Sequence, residues 1–394
     1  MSQTYTYPYP VQSPPKKYYQ AEKELQDLQQ EKEELIQKFE LELPNDSTRI
    51  NYLDQAEYLG QVKDQDIKHG IGRYKYPNGD IYIGEWKNDK FHGDGKYIFS
   101  FGERYEGELV GGRKHGYGKY FYANGNIYDG SWYNDLKDGQ GTYIYKTTGE
   151  KYIGLWRMGE RQGYGTYYYC HGDIYVGLWE NGYKSGQGVL TFASGAKYEG
   201  MWARDKANGR GIMVYSNDDK FDGDWYDGAK CGKGVYYYAD GSKYDGEWAD
   251  DDKNGIGLFQ YSNGDYYQGQ FQDGEQSGKG VYYYINGDRY EGDWRNDKRE
   301  GHGIIWMENG DKYTGEWLDG DKNGEGVYEF ASGDIYEGYW ESGQRSGQGI
   351  YRWVNGDIYS GEWKADKMHG KGVFTTADGT KYEKYFENDA IVDK

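Results

Sequence analysis

Residues 244–257 read YDGEWADDDKNGIG, and residues 267–280 repeat the same pattern as YQGQFQDGEQSGKG. Units of this kind follow one another from Tyr58 to Tyr382, and Phe221 replaces the opening tyrosine in one of them. Twelve of the fourteen steps between unit starts are 23 residues long, and two are 24. A fixed short period predicts a repeat array in which each unit packs against its neighbours.

Inside a unit the apolar side chains alternate with polar ones, which predicts β-strands. Tyr244, Gly246 and Trp248 share one face of the first strand, while the polar stretch ADDDKN is typical of a turn before a second strand. Each unit is therefore predicted to be a β-hairpin. The fold class expected is all-β: an elongated, single-layer, twisted antiparallel sheet of tandem hairpins with a short N-terminal α-helix. The structural tryptophan recurs at Trp86, Trp132, Trp156, Trp179, Trp202, Trp225, Trp248, Trp294, Trp317, Trp340 and Trp363.

Glycines stand on the ring-bearing face of both predicted strands. Glycine in the interior of a strand normally weakens it, so its recurrence beside aromatic residues needs a reason. We expect the missing side chains to let tyrosine and tryptophan rings lie flat on the backbone of the hairpin. One hairpin buries too little apolar surface to fold alone, which explains why the unit has to recur.

The chain carries 66 acidic and 47 basic side chains, a formal net charge of -19. Such a charge disfavours nucleic acid or an anionic lipid surface as the main partner. Cys170 and Cys231 stand at different positions of different units, so they predict no disulfide framework, and a reducing compartment fits them best. No apolar run is long enough for a membrane-spanning helix, and a cytoplasmic or cytoskeletal location is expected.

We find no pattern that predicts catalysis. The glycine-rich stretches lack the phosphate-loop motif and do not precede a helix. Histidines at one repeat position stand singly in separate units, which favours turn residues over metal ligands. The acidic run Asp250–Asp252 lacks the ligand spacing of a calcium loop. No catalytic residue, cofactor or metal is therefore expected, and the protein is predicted not to be an enzyme.

The face opposite the rings is predicted to be mostly acidic on the first strand of each unit. Three adjacent units interrupt this pattern with apolar side chains, which predict a patch that binds a partner. The alternative is that the chain covers the patch itself. Its residues are Ile153, Leu155, Tyr168, Val176, Leu178, Val189, Met201, Ile212 and Val214.

The segment before the array has a different composition. Residues 1–18 are rich in proline and tyrosine and are predicted to be extended, whereas residues 19–43 have the apolar spacing of a helix, through Leu25, Leu28, Leu35 and Phe39. This helix either caps the first hairpin, docks on a partner helix or mediates dimerisation. A linker is predicted over 44–57, the array over 58–386 and a C-terminal tail over 387–394.

The pattern Y-x-G-x-W-x6-G-x-G resembles the MORN (membrane occupation and recognition nexus) repeat, and the resemblance covers roughly residues 58–386. A chain composed almost wholly of these units is most similar to the radial spoke head proteins of ciliary axonemes.

That resemblance implies a scaffold in the cytoskeleton of the cilium. The implied partners are other axonemal proteins, and a homodimer or a heteromer with another MORN protein is a further possibility. The alternatives are a phospholipid-associated tether, a cytoskeletal scaffold outside cilia, and a regulatory subunit of an enzyme.

Overall fold

The structure is a computed structural model and describes residue 30 and residues 32–392. The chain divides into two units, Met1–Tyr183 and Lys184–Lys394. In the first unit, the strands are β1 Thr48–Asn51, β2 Glu57–Lys63, β3 Ile67–Lys75, β4 Ile81–Lys87, β5 Lys90–Ile98, β6 Arg104–Val110, β7 Arg113–Phe121, β8 Ile127–Tyr133, β9 Leu136–Ile144, β10 Lys151–Arg157, β11 Glu160–Tyr168 and β12 Ile174–Glu180.

The second unit continues the same alternation of seven- and nine-residue strands. Its strands are β13 Tyr183–Thr191 (which begins at the boundary residue), β14 Lys197–Ala203, β15 Lys206–Val214, β16 Lys220–Tyr226, β17 Ala229–Tyr237, β18 Lys243–Ala249, β19 Asp252–Gln260, β20 Tyr266–Gln272, β21 Glu275–Tyr283, β22 Arg289–Arg295, β23 Lys298–Trp306, β24 Lys312–Leu318, β25 Asp321–Glu329, β26 Ile335–Glu341, β27 Gln344–Arg352, β28 Ile358–Lys364, β29 Lys367–Thr375, β30 Lys381–Glu387 and β31 Ala390–Val392.

Within each unit, strands that follow one another in the chain pair antiparallel, from β1 with β2 to β11 with β12 and from β13 with β14 to β30 with β31. The all-β antiparallel fold class predicted from the repeat is confirmed. Two segments for which no secondary structure was predicted contain strands. The predicted linker 44–57 includes β1, and the predicted tail 387–394 includes β31.

A short helix, α1, comprises residues 32–41. It lies within the helix predicted over 19–43, and it carries Leu35 and Phe39, both half-buried. Leu25 and Leu28 lie outside the described residues, as does the extended segment predicted over 1–18.

The opening tyrosine of a hairpin packs directly against glycine, as Tyr152 shows. Tyr152 is fully buried, and its ring lies so close to Gly165 that a Cβ added there would stand 2.3 Å from the Tyr152 hydroxyl. The hydroxyl donates a hydrogen bond to the carbonyl of Leu155 at 2.9 Å. Equivalent bonds recur along the array, from 2.6 Å at Tyr58 to 3.1 Å at Tyr290. The glycine vacancy therefore holds a tyrosine ring, as the sequence predicted.

The two glycines of the G-x-G motif serve different purposes. Gly165, the second one, gives room to the ring, whereas Gly163 has a φ of 70° in the left-handed region. The positive φ belongs to a bulge, because the register of β10 and β11 shifts between Gly154 and Trp156. Sequence reasoning assigned all these glycines to ring packing and missed this conformational requirement.

The tryptophan couples each hairpin to the one before it. Trp179 donates its indole N–H to the carbonyl of Gly165 at 3.3 Å, and its ring stands perpendicular to Tyr152 and to Tyr175, with centroids 5.3 and 5.2 Å away. Edge-to-face pairs of this kind are favourable, and the polar end of the buried indole is satisfied. A tryptophan between two tyrosines thus joins units that could not fold alone.

Candidate protein-interaction surface

The face opposite the rings, here called the outward face, carries a row of aliphatic side chains in the second unit. The row stands fourteen residues after each opening tyrosine or phenylalanine, one position beyond the second glycine of G-x-G. All of its members are half-buried: Val189, Ile212, Val235, Leu258, Val281, Ile304, Val327, Ile350 and Val373. Sequence reasoning named only Val189 and Ile212, although the 23-residue period was a signal that could have found the rest.

Polar side chains separate the members of this aliphatic row. Glu291 lies between Val281 and Ile304 across neighbouring strands, and Thr314 lies between Ile304 and Val327. Residues directly opposite in antiparallel strands share a face, so apolar and mostly acidic groups alternate along one line. At about 4.8 Å per strand, the apolar groups recur at about 10 Å.

Part of the row lies in a groove. Its volume is about 830 Å³, and its lining includes Val281, Ile304, Glu291, Lys279 and His302. Lys279 forms an ion pair with Asp293 at 2.6 Å and keeps 72 % of its side chain exposed. The groove therefore offers apolar contact at its floor and charged groups of both signs beside it.

The apolar residues predicted in the first unit do lie on the outward face. Ile153, Leu155 and Leu178 are 39 %, 37 % and 41 % exposed, while Val176 is half-buried. Tyr168, also half-buried, is on this face because it pairs with Lys151 and Ile174.

Sequence reasoning missed one member of this group. Tyr164 is 59 % exposed and stands directly across from Leu178. The first unit thus has an apolar patch of its own on the face that bears mostly polar side chains elsewhere.

The predicted apolar residues of the second unit are less prominent. Met201, Val189 and Ile212 are half-buried, and Val214 is 37 % exposed. Glu199 stands directly between Val189 and Ile212 and interrupts the apolar surface. Val189 and Ile212 belong to the alternating row, and the four residues do not form a continuous patch within this unit.

Helix α1 rests on the outward face of β3 and β4. The ammonium of Lys32 donates to the carbonyl of Gly79 at 2.8 Å, and Glu40 pairs with the guanidinium of Arg73 at 2.9 Å. Arg73 lies on the outward face opposite Ile83 and is only 6 % exposed. Burial here lowers the pKa of Lys32, which Asp80 partly opposes.

The isoleucines of the outward face near these helix contacts are buried. Ile81, Ile83 and Ile98 of the outward face are 2 %, 7 % and 7 % exposed. Of the sequence alternatives for the helix, its packing against the first hairpins is the one for which the described residues provide contacts. The outward face can therefore hold a helix that brings apolar, acidic and basic side chains to it.

We find no catalytic constellation among the described residues. Within them, no group of three or more His, Cys, Asp or Glu side chains could hold a metal ion. Cys170 is exposed, whereas burial raises the pKa of the half-buried Cys231 thiol and makes it less reactive. None of the described helices is long and apolar enough to cross a membrane.

The family comparison agrees with the repeat pattern. A family model described as MORN repeat matches fourteen consecutive segments: residues 64–81, 82–102, 105–127, 128–149, 152–174, 175–197, 198–220, 221–243, 244–266, 267–289, 290–312, 313–335, 336–358 and 359–381. A comparison with curated proteins finds no match.

Several solved structures show a limited likeness. The TCP domain of Drosophila melanogaster SAS-4 bound to a proline-rich motif of Ana2 is 14 % identical, with 50 % of this chain and 88 % of that chain covered and a TM-score of 0.24. The TCP10 domain of Danio rerio CPAP with a STIL peptide is 11 % identical, with 76 % of this chain and 97 % of that chain covered and a TM-score of 0.16. An inactive virginiamycin B lyase from Staphylococcus aureus is 14 % identical, with 86 % of this chain and 87 % of that chain covered and a TM-score of 0.13. TM-scores this low carry no argument about function.

Proposed function

The chain belongs to the MORN-repeat family, and from that premise we propose that it is a non-enzymatic scaffold that binds partner proteins along its outward face. The alternating aliphatic row of the second unit is the observation that carries this proposal. Half-buried aliphatic side chains spaced by mostly acidic ones suit a partner segment with apolar side chains and interspersed basic ones.

Helix α1 supports the proposal from within the molecule. It lies on the same face of the first unit with half-buried Leu35 and Phe39, and it adds the Lys32 and Glu40 contacts. A partner segment on the second unit would use the same kinds of contact. Its apolar groups would meet residues such as Val281 and Ile304, and its basic groups would meet Glu291.

Crosslinking mass spectrometry on protein purified with its native partners tests the surface. Lys279 and Lys233 flank the row, so we expect them to crosslink to partner proteins. The double variant Val281→Glu with Ile304→Glu should lose those crosslinks, because it puts carboxylates on the apolar floor. Ile285→Glu is the matched control, since Ile285 is 70 % exposed in a closing turn away from the row.

Partner crosslinks confined to the closing turns, or unaffected by the double variant, would contradict binding along the row. Both variants must keep the far-ultraviolet circular dichroism of the unmodified protein, which shows that a loss of crosslinks does not come from unfolding.

As the finer assignment, we propose that the scaffold belongs to a ciliary axonemal complex of the radial spoke head type. The support is the resemblance of a chain made almost wholly of MORN units to that class. We expect the protein to remain with axonemes after detergent extraction. A pool that is wholly released by detergent, or wholly free before extraction, would overturn the axonemal assignment and leave the scaffold proposal to be judged by the crosslinks.

A further inference from the structure

The ninth residue after each opening tyrosine or phenylalanine, the tenth in the first repeat, fills a slot between aromatic rings on the ring-bearing face. Ten of the fourteen repeats place a cation there. These residues are Lys68, Lys114, Lys137, Arg161, Lys184, Lys230, Lys253, Arg299, Lys322 and Arg345.

The arginines show what the slot offers to a guanidinium. The Cζ atom of Arg299 lies 4.2 Å from the centre of the Trp317 ring and 5.6 Å from that of Tyr290. One of its terminal nitrogens also donates to the carbonyl of Gly320 at 2.6 Å, at the tip of the next hairpin. A cation over aromatic faces is attracted by their negative π-clouds, more strongly where water is excluded.

Three other repeats fill the slot with a large uncharged side chain. Phe91 stacks on Tyr82 with ring centroids 3.8 Å apart. Gln276 is 2 % exposed and donates to the hydroxyl of Tyr261 at 2.7 Å. Met368 occupies the same position in the repeat that opens at Tyr359.

Ala207 is the exception, because its side chain ends at Cβ. The rings that a cation would meet are in place: Tyr198 and Trp225 stand perpendicular to each other with centroids 5.3 Å apart. Trp225 is 8 % exposed, whereas the tryptophans at this position in the other repeats are 3–6 % exposed. The carbonyl of Gly228 stands where Gly320 accepts from Arg299, seven residues after the opening residue of the next repeat.

We propose that this slot, bounded by Ala207, Tyr198, Trp225 and Gly228, binds an arginine side chain of a partner protein. The ten internal cations are the precedent for the occupant. Arginine is favoured over lysine because its planar head stacks on a ring and donates sideways to a carbonyl at the same time. The chain's net charge of -19 favours approach of a basic partner.

Fluorine NMR of the full-length chain labelled with 5-fluorotryptophan tests the proposal. The Trp225 resonance is assigned with Trp225→Phe, and the probe is the tripeptide Ac-Gly-Arg-Gly-NH2. We expect a saturable shift of the Trp225 resonance at millimolar probe concentration, as suits a single side chain in one slot. The neutral analogue Ac-Gly-Gln-Gly-NH2 should produce no such shift.

Two kinds of variant make the experiment decisive. Ala207→Arg should fill the slot and abolish the shift. If the arginine variant folds poorly, Ala207→Met should do the same, since Met368 already fills this position in another repeat. Lys322→Ala should open an equivalent slot, so that the Trp340 resonance also responds to the arginine probe.

The Lys206 ammonium pairs with Asp227 at 2.7 Å beside the slot, and Lys206→Ala should leave the Trp225 response intact. No shift of Trp225, an equal shift with the glutamine probe, or a shift that persists in Ala207→Arg would each overturn the proposal. The slot faces the ring-bearing side, so its failure would leave the proposed binding along the outward face standing.

Discussion

Two isoleucines at the same repeat position lie in different surroundings. Ile83 of β4 and Ile153 of β10 each follow the opening tyrosine of their hairpin by one residue and lie on the outward face, but Ile83 is 7 % exposed and Ile153 is 39 % exposed. Both hairpins have the same frame of ring and glycine beneath them. Helix α1 contacts Arg73, which lies directly opposite Ile83, and Gly79, so we attribute the burial of Ile83 to the helix.

This contrast shows that the ring-bearing face holds the hairpins together, whereas the outward face can vary from one hairpin to the next. The tyrosine, tryptophan and glycine positions hold each hairpin whatever lies on the other face. The outward positions are then free to differ. They are buried beside the chain's own helix at β4, open and apolar at β10, and alternate between aliphatic and mostly acidic groups in the second unit.

The largest expected effect is alkaline unfolding, which should affect both regions alike. Tyr82 and Tyr152 are buried hydrogen-bond donors, and burial raises the pKa of each phenol well above its usual value. A group whose pKa is raised on folding gives stability that is complete below its unfolded pKa of about 10 and is lost as pH rises toward the folded pKa. We therefore expect ionisation of the buried tyrosines and loss of the sheet signal to occur together above about pH 10.

Ionisation of most tyrosines with the circular dichroism unchanged would contradict this prediction. If alkaline unfolding differed between the β4 and β10 regions in a way that depends on the helix, the two regions would not share one common frame.

Substitution of one glycine on the ring-bearing face should destabilise the hairpins around it and leave distant hairpins unchanged. In Gly165→Ala the added Cβ meets the Tyr152 ring and hydroxyl, and we expect a local loss of about 3 kcal/mol from overpacking. Hydrogen exchange should show reduced amide protection in β10–β12, with β3–β5 retained.

The matched control is Gly159→Asn. A Cβ at Gly159 meets nothing within 4 Å, and asparagine tolerates its φ of 92° better than most residues do. Equal losses in the two variants would show that the ring does not need the glycine vacancy.

The isoleucine pair itself gives the next test. Ile83→Glu places a carboxylate under α1, and the cheapest response is release of the helix, at a cost of about 2 kcal/mol of buried apolar surface. Hydrogen exchange over residues 32–41 should become fast, while Ile153→Glu should leave the helix protected. A helix that stays protected in Ile83→Glu would show that it does not depend on this face.

The smallest effect is expected on the open patch. Leu155→Ser with Leu178→Ser should change the free energy of unfolding by about 0.5 kcal/mol or less, because both side chains are more than a third exposed. Binding of an apolar fluorescent dye should fall, since the patch with Tyr164 loses two of its members. A large loss of stability would mean that these leucines are part of the core rather than of a binding surface.

Sequence alone determined the repeat, its hairpins and the burial of its rings, because strand alternation and close packing on glycine are local requirements that recur every 23 residues. It also indicated apolar interruptions such as Ile153 and Leu178, since each is visible against its own repeat position.

Tertiary structure alone decided which outward residues are covered. Whether α1 packs over Ile83, and whether Val281 and Ile304 share a groove, depends on contacts between segments that are distant in sequence or two strands apart. It also decided that one glycine of G-x-G makes room for a ring and the other bends the chain. Both a close contact and a positive φ require glycine, so the sequence does not distinguish them.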